Sequence, residues 1–256
     1  MKFEEMTSAA LAKVKREETL VVLPIAAVEQ HGPHMPTGTD KILCTAVAEE
    51  LESRMPGEVL LLPTIWSGAS AHHLRFGATL DTPLGTYEDV LEGIGKSLLD
   101  DHFCRILLLN GHGGNIDPMR LVLRKLQPEY PEALLGAACY WDVIDLPGSG
   151  ILEGGHQFVG HACEFETSLM LHLRPELVDK EKLADAGELV PDNLDGAFLG
   201  RDMYQRTAEG FTGRPDLASA EKGARLMELV LGNLEGLVKN LLDQPLGTEY
   251  GEFVEQ

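Results

Sequence analysis

Four short apolar runs, separated by segments with helical spacing, constrain this chain more than any other feature. They span Thr19 to Ala27, Glu58 to Ile65, Arg105 to Leu109 and Glu132 to Tyr140. Each is too short for a buried helix and is bounded by Gly, Pro or polar residues, as buried strands are. Between them lie helical stretches from Asp40 to Arg54 and from Thr86 to near Asp101, the latter with Asp89 three residues on as a variant capping box. A third helix is expected to open with Asp117 as N-cap and Pro118 as N1. This alternation predicts an α/β fold with a mainly parallel sheet, right-handed crossovers and helices on both faces.

The ends of the chain are less regular. MKFEEMTSAALAKVKREE reads as a short amphipathic helix without the apolar core of a secretory signal. Residues 141–155 read as loop, HACEFETSLMLHL as a helix stopped by Pro175, and Asp216 to Asp243 as a long amphipathic helix. Residues 176–213, rich in Gly, Asp and Pro, resist assignment. No boundary or repeat divides the 256 residues, so a single domain over 1–256 is expected.

Composition removes several function classes. Asp and Glu number 41 against 21 Lys and Arg, a formal charge of −20, which repels phosphate backbones and anionic lipid. Neither nucleic acid nor membrane is an expected partner, and no run of about 18 apolar residues is present to cross a bilayer. The cysteines, Cys44, Cys104, Cys139 and Cys163, are widely spaced. They predict buried thiols in a reducing cytoplasm, with Cys163 the exception inside a polar motif.

The chemistry-bearing residues collect at strand ends. VEQHGPHMPTGTD, Val28 to Asp40, follows the first run. His72 and His73 follow the second and His112 the third, so five of the nine histidines fall at one sheet edge, where α/β proteins bind ligands. Glu29 and His31, two apart in extended chain, point to one side. Asp40 opens the next helix, where its carboxylate either caps the helix or turns back to bridge two ions about 3.5–4 Å apart. In NGHGGN, Asn110 to Asn115, the glycines permit close approach and positive φ around His112. The N–H groups of Gly113 and Gly114 are candidates for an oxyanion. In HACEFETS, His161 precedes a helix whose first turn holds Glu164 and Glu166. Two residues apart, they do not share a helical face, so at most one is a ligand.

Together EQHGPHMPTGTD, NGHGGN and HACEFETS, with HHLRFGATL at 72 to 80, resemble the creatininase (creatinine amidohydrolase) family in order and spacing. The resemblance covers about residues 19 to 173. It implies a three-layer α/β/α sandwich, a homohexamer, and two divalent ions, Zn or Mn, held by Glu29, His31, Asp40, His112 and Glu166 with Asp40 bridging. It further implies His161 as the catalytic or substrate-contacting histidine and Glu164 as a residue that supports the ligands or is structural, while His34 is expected to be structural, holding the loop by a hydrogen bond. His73, Gly113, Gly114 and Trp141 are expected to face a small-molecule amide. The expected reaction is attack of a metal-bridging hydroxide on the amide carbon, with His161, of near-neutral basicity, passing a proton to the leaving nitrogen.

Creatinine-cleaving members carry an aromatic residue and then a carboxylate where this chain has Gly113 and Gly114, and Gln157 and Phe158 depart from the creatinine-enclosing pattern. A formamide deformylase or a small-peptide peptidase is the alternative within the family. Outside it stand a dinuclear phosphoesterase, which requires a cationic clamp with only Lys41 and Arg75 close in sequence, and a metal-binding assembly protein without catalysis.

Overall fold

The computed structural model describes residues 1–154 and 159–254, so the expectation for Gln157 and Phe158 lies outside the described residues. Its main sheet has four parallel strands, β1 (Leu20–Ile25), β2 (Val59–Leu61), β3 (Arg105–Asn110) and β4 (Leu134–Cys139), in the order β2-β1-β3-β4. Three helices provide the crossovers: α1 (Thr39–Arg54), α2 (Leu84–Asp100) and α3 (Ile116–Leu126). Two more, α4 (Glu164–Leu173) and α5 (Ala220–Asp243), follow β4.

Side chains alternate across each strand, and both faces are buried. Leu20 and Val22 of β1, with Leu107 and Leu109 of β3, pack against α1, α4 and α5 through residues such as Leu43, Val47, Phe165, Leu169 and Val230. Val21, Leu23, Ile25, Ile106 and Leu108 pack on the other face against Tyr87 and Leu91 of α2 and Met119 and Val122 of α3. This is the three-layer sandwich, and burial on both faces explains why the runs are continuously apolar. Helices α4 and α5 come so close that a Cβ on Gly223 would overlap the Ser168 carbonyl.

Strand order positions the site. From β1 the chain moves outward to β2 and then crosses back to β3 on the other side, so the loops leaving β1 and β3 diverge above two paired strands. Ile25 and Asn110, the last residues of those strands, are register partners. That divergence is the topological switch point of an open sheet, where ligands bind.

Several boundaries differ from expectation. The N-terminal helix shrinks to a 3-10 turn, Phe3–Glu5, and one α-turn, Ser8–Leu11, capped by Thr7. Met1 and Lys2 are drawn out of helix because the Met1 carbonyl accepts from Leu61 N and Lys2 bridges Leu61, extending the β2 edge. Helix α2 starts at Leu84 behind Pro83, not at Thr86, with no side-chain cap. Helix α3 starts at Ile116, so Asp117 and Pro118 lie in its first turn, where the missing proline N–H costs nothing. Residues 176–213 contain a two-stranded hairpin, Asn193–Leu194 with Ala197–Phe198, and a helical turn, Met203–Arg206. All four cysteines are free, and Cys163 is buried while Cys104 is the partly exposed one, the reverse of the expected exception.

Candidate metal centre

The fold brings Glu29, His31, Asp40, His112 and Glu166 together, each 4% exposed or less. The loop after β1 is closed by Glu29 N donating to Thr37 O at 2.9 Å. Asp40 lies on the same buried stripe of α1 as Leu43, Cys44, Val47 and Leu51, so helical geometry drives its carboxylate inward. NGHGGN is shaped by its asparagines. Asn110 donates to His112 O and accepts from His112 N, while Asn115 accepts from Ala69 N and donates to Ala26 O. None of its glycines has positive φ. Gly111 is required because a Cβ would lie 2.5 Å from Cys44 Cβ, and Gly114 because a Cβ would overlap Ala69 O and lie 2.5 Å from His112 Nε2. Close approach, not backbone hand, explains the motif.

Asp40 divides its two oxygens. Oδ1 is 2.9 Å from His31 Nε2, and Oδ2 is 3.1 Å from His112 Nδ1. Glu166 Oε1 stands 4.0 Å from His31 Nε2. Three imidazole nitrogens surround Glu29 Oε1, the same His112 Nδ1 and His73 Nε2 at 3.3 Å and His161 Nδ1 at 3.5 Å. His31 Nδ1 donates to Glu29 O at 3.1 Å and His112 Nε2 to Ala69 O at 3.0 Å, which turns the other nitrogen of each ring toward the carboxylates. Tethering of this kind orients histidines for metal.

The charges are arranged to receive a cation. Burial opposes charge on His31, yet Asp40, Glu166 and Glu29 together raise it to about 9. Burial likewise opposes ionisation of Asp40, and His31 and His112 still hold it well below the usual carboxylate range. Burial, with Asp40 and Glu29 as like charges, lifts Glu166 to about 7. Among the described residues, the only cationic groups within 4.0 Å of Glu29, Asp40 or Glu166 are imidazoles. Both oxygens of Glu29, Asp40 Oδ2 and Glu166 Oε2 are buried without a hydrogen bond. Each buried carboxylate costs several kcal/mol to dehydrate (roughly, by continuum reasoning). Their convergence with bare nitrogens fits divalent cations that accept mixed O/N donors. Within 4.8 Å of one another stand ligand atoms of His31, Asp40 and Glu166, of Glu29, His72 and His112, and of Glu29, His31 and His161.

His161 precedes α4, with its backbone N–H on Thr212 Oγ1 at 2.8 Å. Burial, then His31 and His73, push it well below neutral, so its basicity is not the near-neutral value expected from sequence. His73 is 2% exposed, with both ring nitrogens facing protein groups, Gln30 and Glu29. Gly113 is exposed with nothing near its Cβ position, and Trp141 is half-buried after β4, edge-on to Tyr140. Glu164 is engaged by Lys222 Nζ at 2.6 Å and Gly154 N at 2.8 Å. His34 Nε2 donates to Ala162 O at 3.0 Å. Lys41 is exposed and Arg75 lies over the Tyr204 ring at 4.5 Å, so neither is bound at the cluster. Sequence reading missed Gln30, Gly210 and Thr212. Gln30 sat inside the first motif without a charge to mark it, and the other two lay in the unassigned segment.

A parallel sandwich that gathers carboxylates and tethered imidazoles at its switch point is the framework of a metal-dependent hydrolase. The chain belongs to the creatininase family: the family model described as creatinine amidohydrolase matches residues 4–238. A mycofactocin precursor peptide peptidase of Mycobacterium ulcerans (strain Agy99) is 32% identical over 221 residues, 80% of this chain and 79% of that protein. A 3-dehydro-scyllo-inosose hydrolase of Thermotoga maritima is 28% identical over 264 residues, 94% and 84% of the two chains. A crystal structure of creatinine amidohydrolase (creatininase) aligns at a TM-score of 0.80 with 26% identity, over 94% of this chain and 98% of that one. Other solved creatininases are a Mn form and a variant of Zn-Zn type. No helix among the described residues is long and apolar enough to cross a membrane.

Proposed function

We propose that this protein hydrolyses a C–N amide bond of a small cyclic or linear amide at a centre for two divalent ions, Zn or Mn. Asp40 supports the reading most, because its oxygens address two separate donor groups through His31 and His112. His31, Asp40 and Glu166 would hold one ion and Glu29, Asp40 and His112 the other, with Asp40 shared. When bound, such ions supply Lewis acidity and acidify water near neutral pH.

His161 handles the proton in this reading. Its Nε2–H is committed to Gln30 O at 2.7 Å, so Nδ1, facing Glu29, is the atom that works. Burial keeps the ring neutral at rest. Nδ1 therefore accepts a proton first and, once charged in a site that disfavours the charge, releases it readily to the leaving nitrogen. Gly113 leaves the approach to His112 open to substrate, with Gly114 beside it, and Trp141 stands at the same strand edge.

Within amides, a linear peptide bond is favoured by the 32% identity to a peptide peptidase, while two glycines after His112 leave creatinine without the side chains expected to contact it. A phosphoesterase is disfavoured because Arg75 lies over the Tyr204 ring and, among the described residues, no Lys or Arg stands within 4.0 Å of Glu29, Asp40 or Glu166. A homo-oligomer, taken from the family resemblance, and a cytoplasmic location, taken from the four free cysteines, belong to the same proposal.

The test loads the protein with Zn or Mn, counts metal by mass spectrometry, and assays creatinine, formamides, lactams, short peptides and phosphate esters. Two ions per chain with amide turnover are expected. One ion per chain, or faster phosphate-ester than amide turnover, would overturn the reading.

A further inference from the structure

Four imidazoles point a nitrogen at Glu29 or Asp40, and they are not wired alike. His31, His112 and His161 each give their far N–H to a main-chain carbonyl, those of Glu29, Ala69 and Gln30, at 3.1, 3.0 and 2.7 Å. A carbonyl only accepts, so the proton sits on the far nitrogen and the near one is left bare for a cation or a proton. His73 faces a side-chain amide instead: Gln30 Nε2 is 2.7 Å from His73 Nδ1.

The orientation of that amide is fixed by two backbone groups of known polarity. Gln30 Oε1 accepts from Gly32 N at 3.0 Å, and Nε2 donates to Gly210 O at 2.8 Å. The second Nε2 proton then goes to His73 Nδ1, which must be bare. The His73 proton therefore sits on Nε2, 3.3 Å from Glu29 Oε1. Gly210, at φ +79°, brings its carbonyl over the amide at a position where a Cβ would fall 2.5 Å from Gln30 Oε1. Gln30 is 7% exposed, so water does not compete for these bonds.

We propose that Gln30 is a positioning residue that sets opposite proton arrangements, relative to Glu29, in two of the three imidazoles around that carboxylate, His73 and His161. Through its side chain it keeps the His73 proton on Nε2, the ring nitrogen that faces the Glu29 carboxylate at 3.3 Å. Through its main-chain carbonyl it keeps His161 Nδ1 bare. His73 is thereby excluded from the cation ligands and orients Glu29, while His161 is left free to take up a proton. The functional part rests on the proposed metal centre; the proton placement does not.

Long-range 15N–1H correlation of the histidine rings, in protein with and without Zn, tests it. In the wild-type protein His73 and His161 are both expected as Nε2–H tautomers, with His73 keeping that proton when Zn loads and His31 and His112 shifting. Gln30→Glu has the same shape but accepts where the amide donated, so His73 is expected to move its proton to Nδ1. His161, held by the backbone of the same residue, stays unchanged. Turnover is expected to fall about 10–100-fold, the usual cost of losing an outer-shell partner. Gly210→Ala pushes on the amide without altering residue 30 and is expected to disturb His73 in the same way. An Nδ1–H tautomer of His73 in the wild-type protein, or an unmoved His73 proton in Gln30→Glu, would overturn the proposal even if that variant were too unstable to assay. A protein that binds no metal but shows these tautomers would overturn the metal centre and leave the proton placement standing.

Discussion

The carboxylate of Glu164 lies 2.6 Å from the ammonium of Lys222, in a buried pair that joins the first turn of α4 to the first turn of α5. The same carboxylate accepts from the backbone N–H groups of Glu153 and Gly154 at 3.1 and 2.8 Å. Glu166, two residues on, has a buried oxygen with no partner at all. One acid of the pair is saturated by the protein, the other is kept open.

Lys222→Met should therefore destabilise the fold, by about 3–5 kcal/mol as for breaking a buried ion pair, because Glu164 is left charged with only backbone donors. Metal content should be unaffected. Glu166→Gln should do the opposite, lowering metal retention through gel filtration with little loss of stability in the apo protein. Urea unfolding beside metal analysis separates the two. Loss of metal in Lys222→Met with unchanged stability would contradict the division.

The glycines after His112 differ in what they permit. A Cβ at Gly113 meets open space, whereas one at Gly114 would overlap Ala69 O and press on His112 Nε2. Gly113→Ala should remain within about 0.5 kcal/mol of wild type, as a surface change does. Gly114→Ala should cost about 1–3 kcal/mol as overpacking and weaken metal binding by displacing His112. Thermal melts with and without added Zn measure both, and equal behaviour of the two variants would show that the crowding at Gly114 is relieved elsewhere.

What could be read from sequence follows from how local each determinant is. The strands were legible because burial on both faces makes them continuously apolar, and Glu29, His31, Asp40 and His112 because strand-end loops compress them into short windows. Glu164 and Glu166 could not be separated from local spacing, since the partner that decides between them, Lys222, is 58 residues away. Gln30 was adjacent to both Glu29 and His31, yet its bonds run to His73 and Gly210, 43 and 180 residues on. Gly210 and Thr212 lie where no periodicity marks an element, because that segment is held by contacts to the site more than by regular structure.

Thiol chemistry offers a check on the core. Burial pushes Cys139 and Cys163 up to about 12 and raises Cys44 further, while Cys104, half-buried, is raised less. At pH 8 the thiolate is scarce and enclosed at three of the four positions. An Ellman titration of native protein should modify Cys104 at most, and all four thiols should react in guanidinium chloride. Rapid native modification of Cys163 would mean that the start of α4 opens.

His34 should contribute to acid lability. Burial, aided by the neighbouring His31, pushes it to about 4 from an ordinary 6.5, and its Nε2–H bond to Ala162 O opposes this only in part. Between those values the unfolded chain binds the proton and the folded one does not. Stability from this group is thus present above pH 6.5 and is lost as pH falls toward 4. From pH 7.5 to 5 the loss amounts to roughly 2 kcal/mol at 1.36 kcal/mol per unit. His34→Gln keeps a donor for Ala162 O without a titrating ring. Urea unfolding of both chelated proteins at the two pH values should show the variant losing about 2 kcal/mol less than wild type. Parallel losses would mean that His34 is protonated in the fold at pH 5 and that Ala162 and its surroundings tolerate the charge.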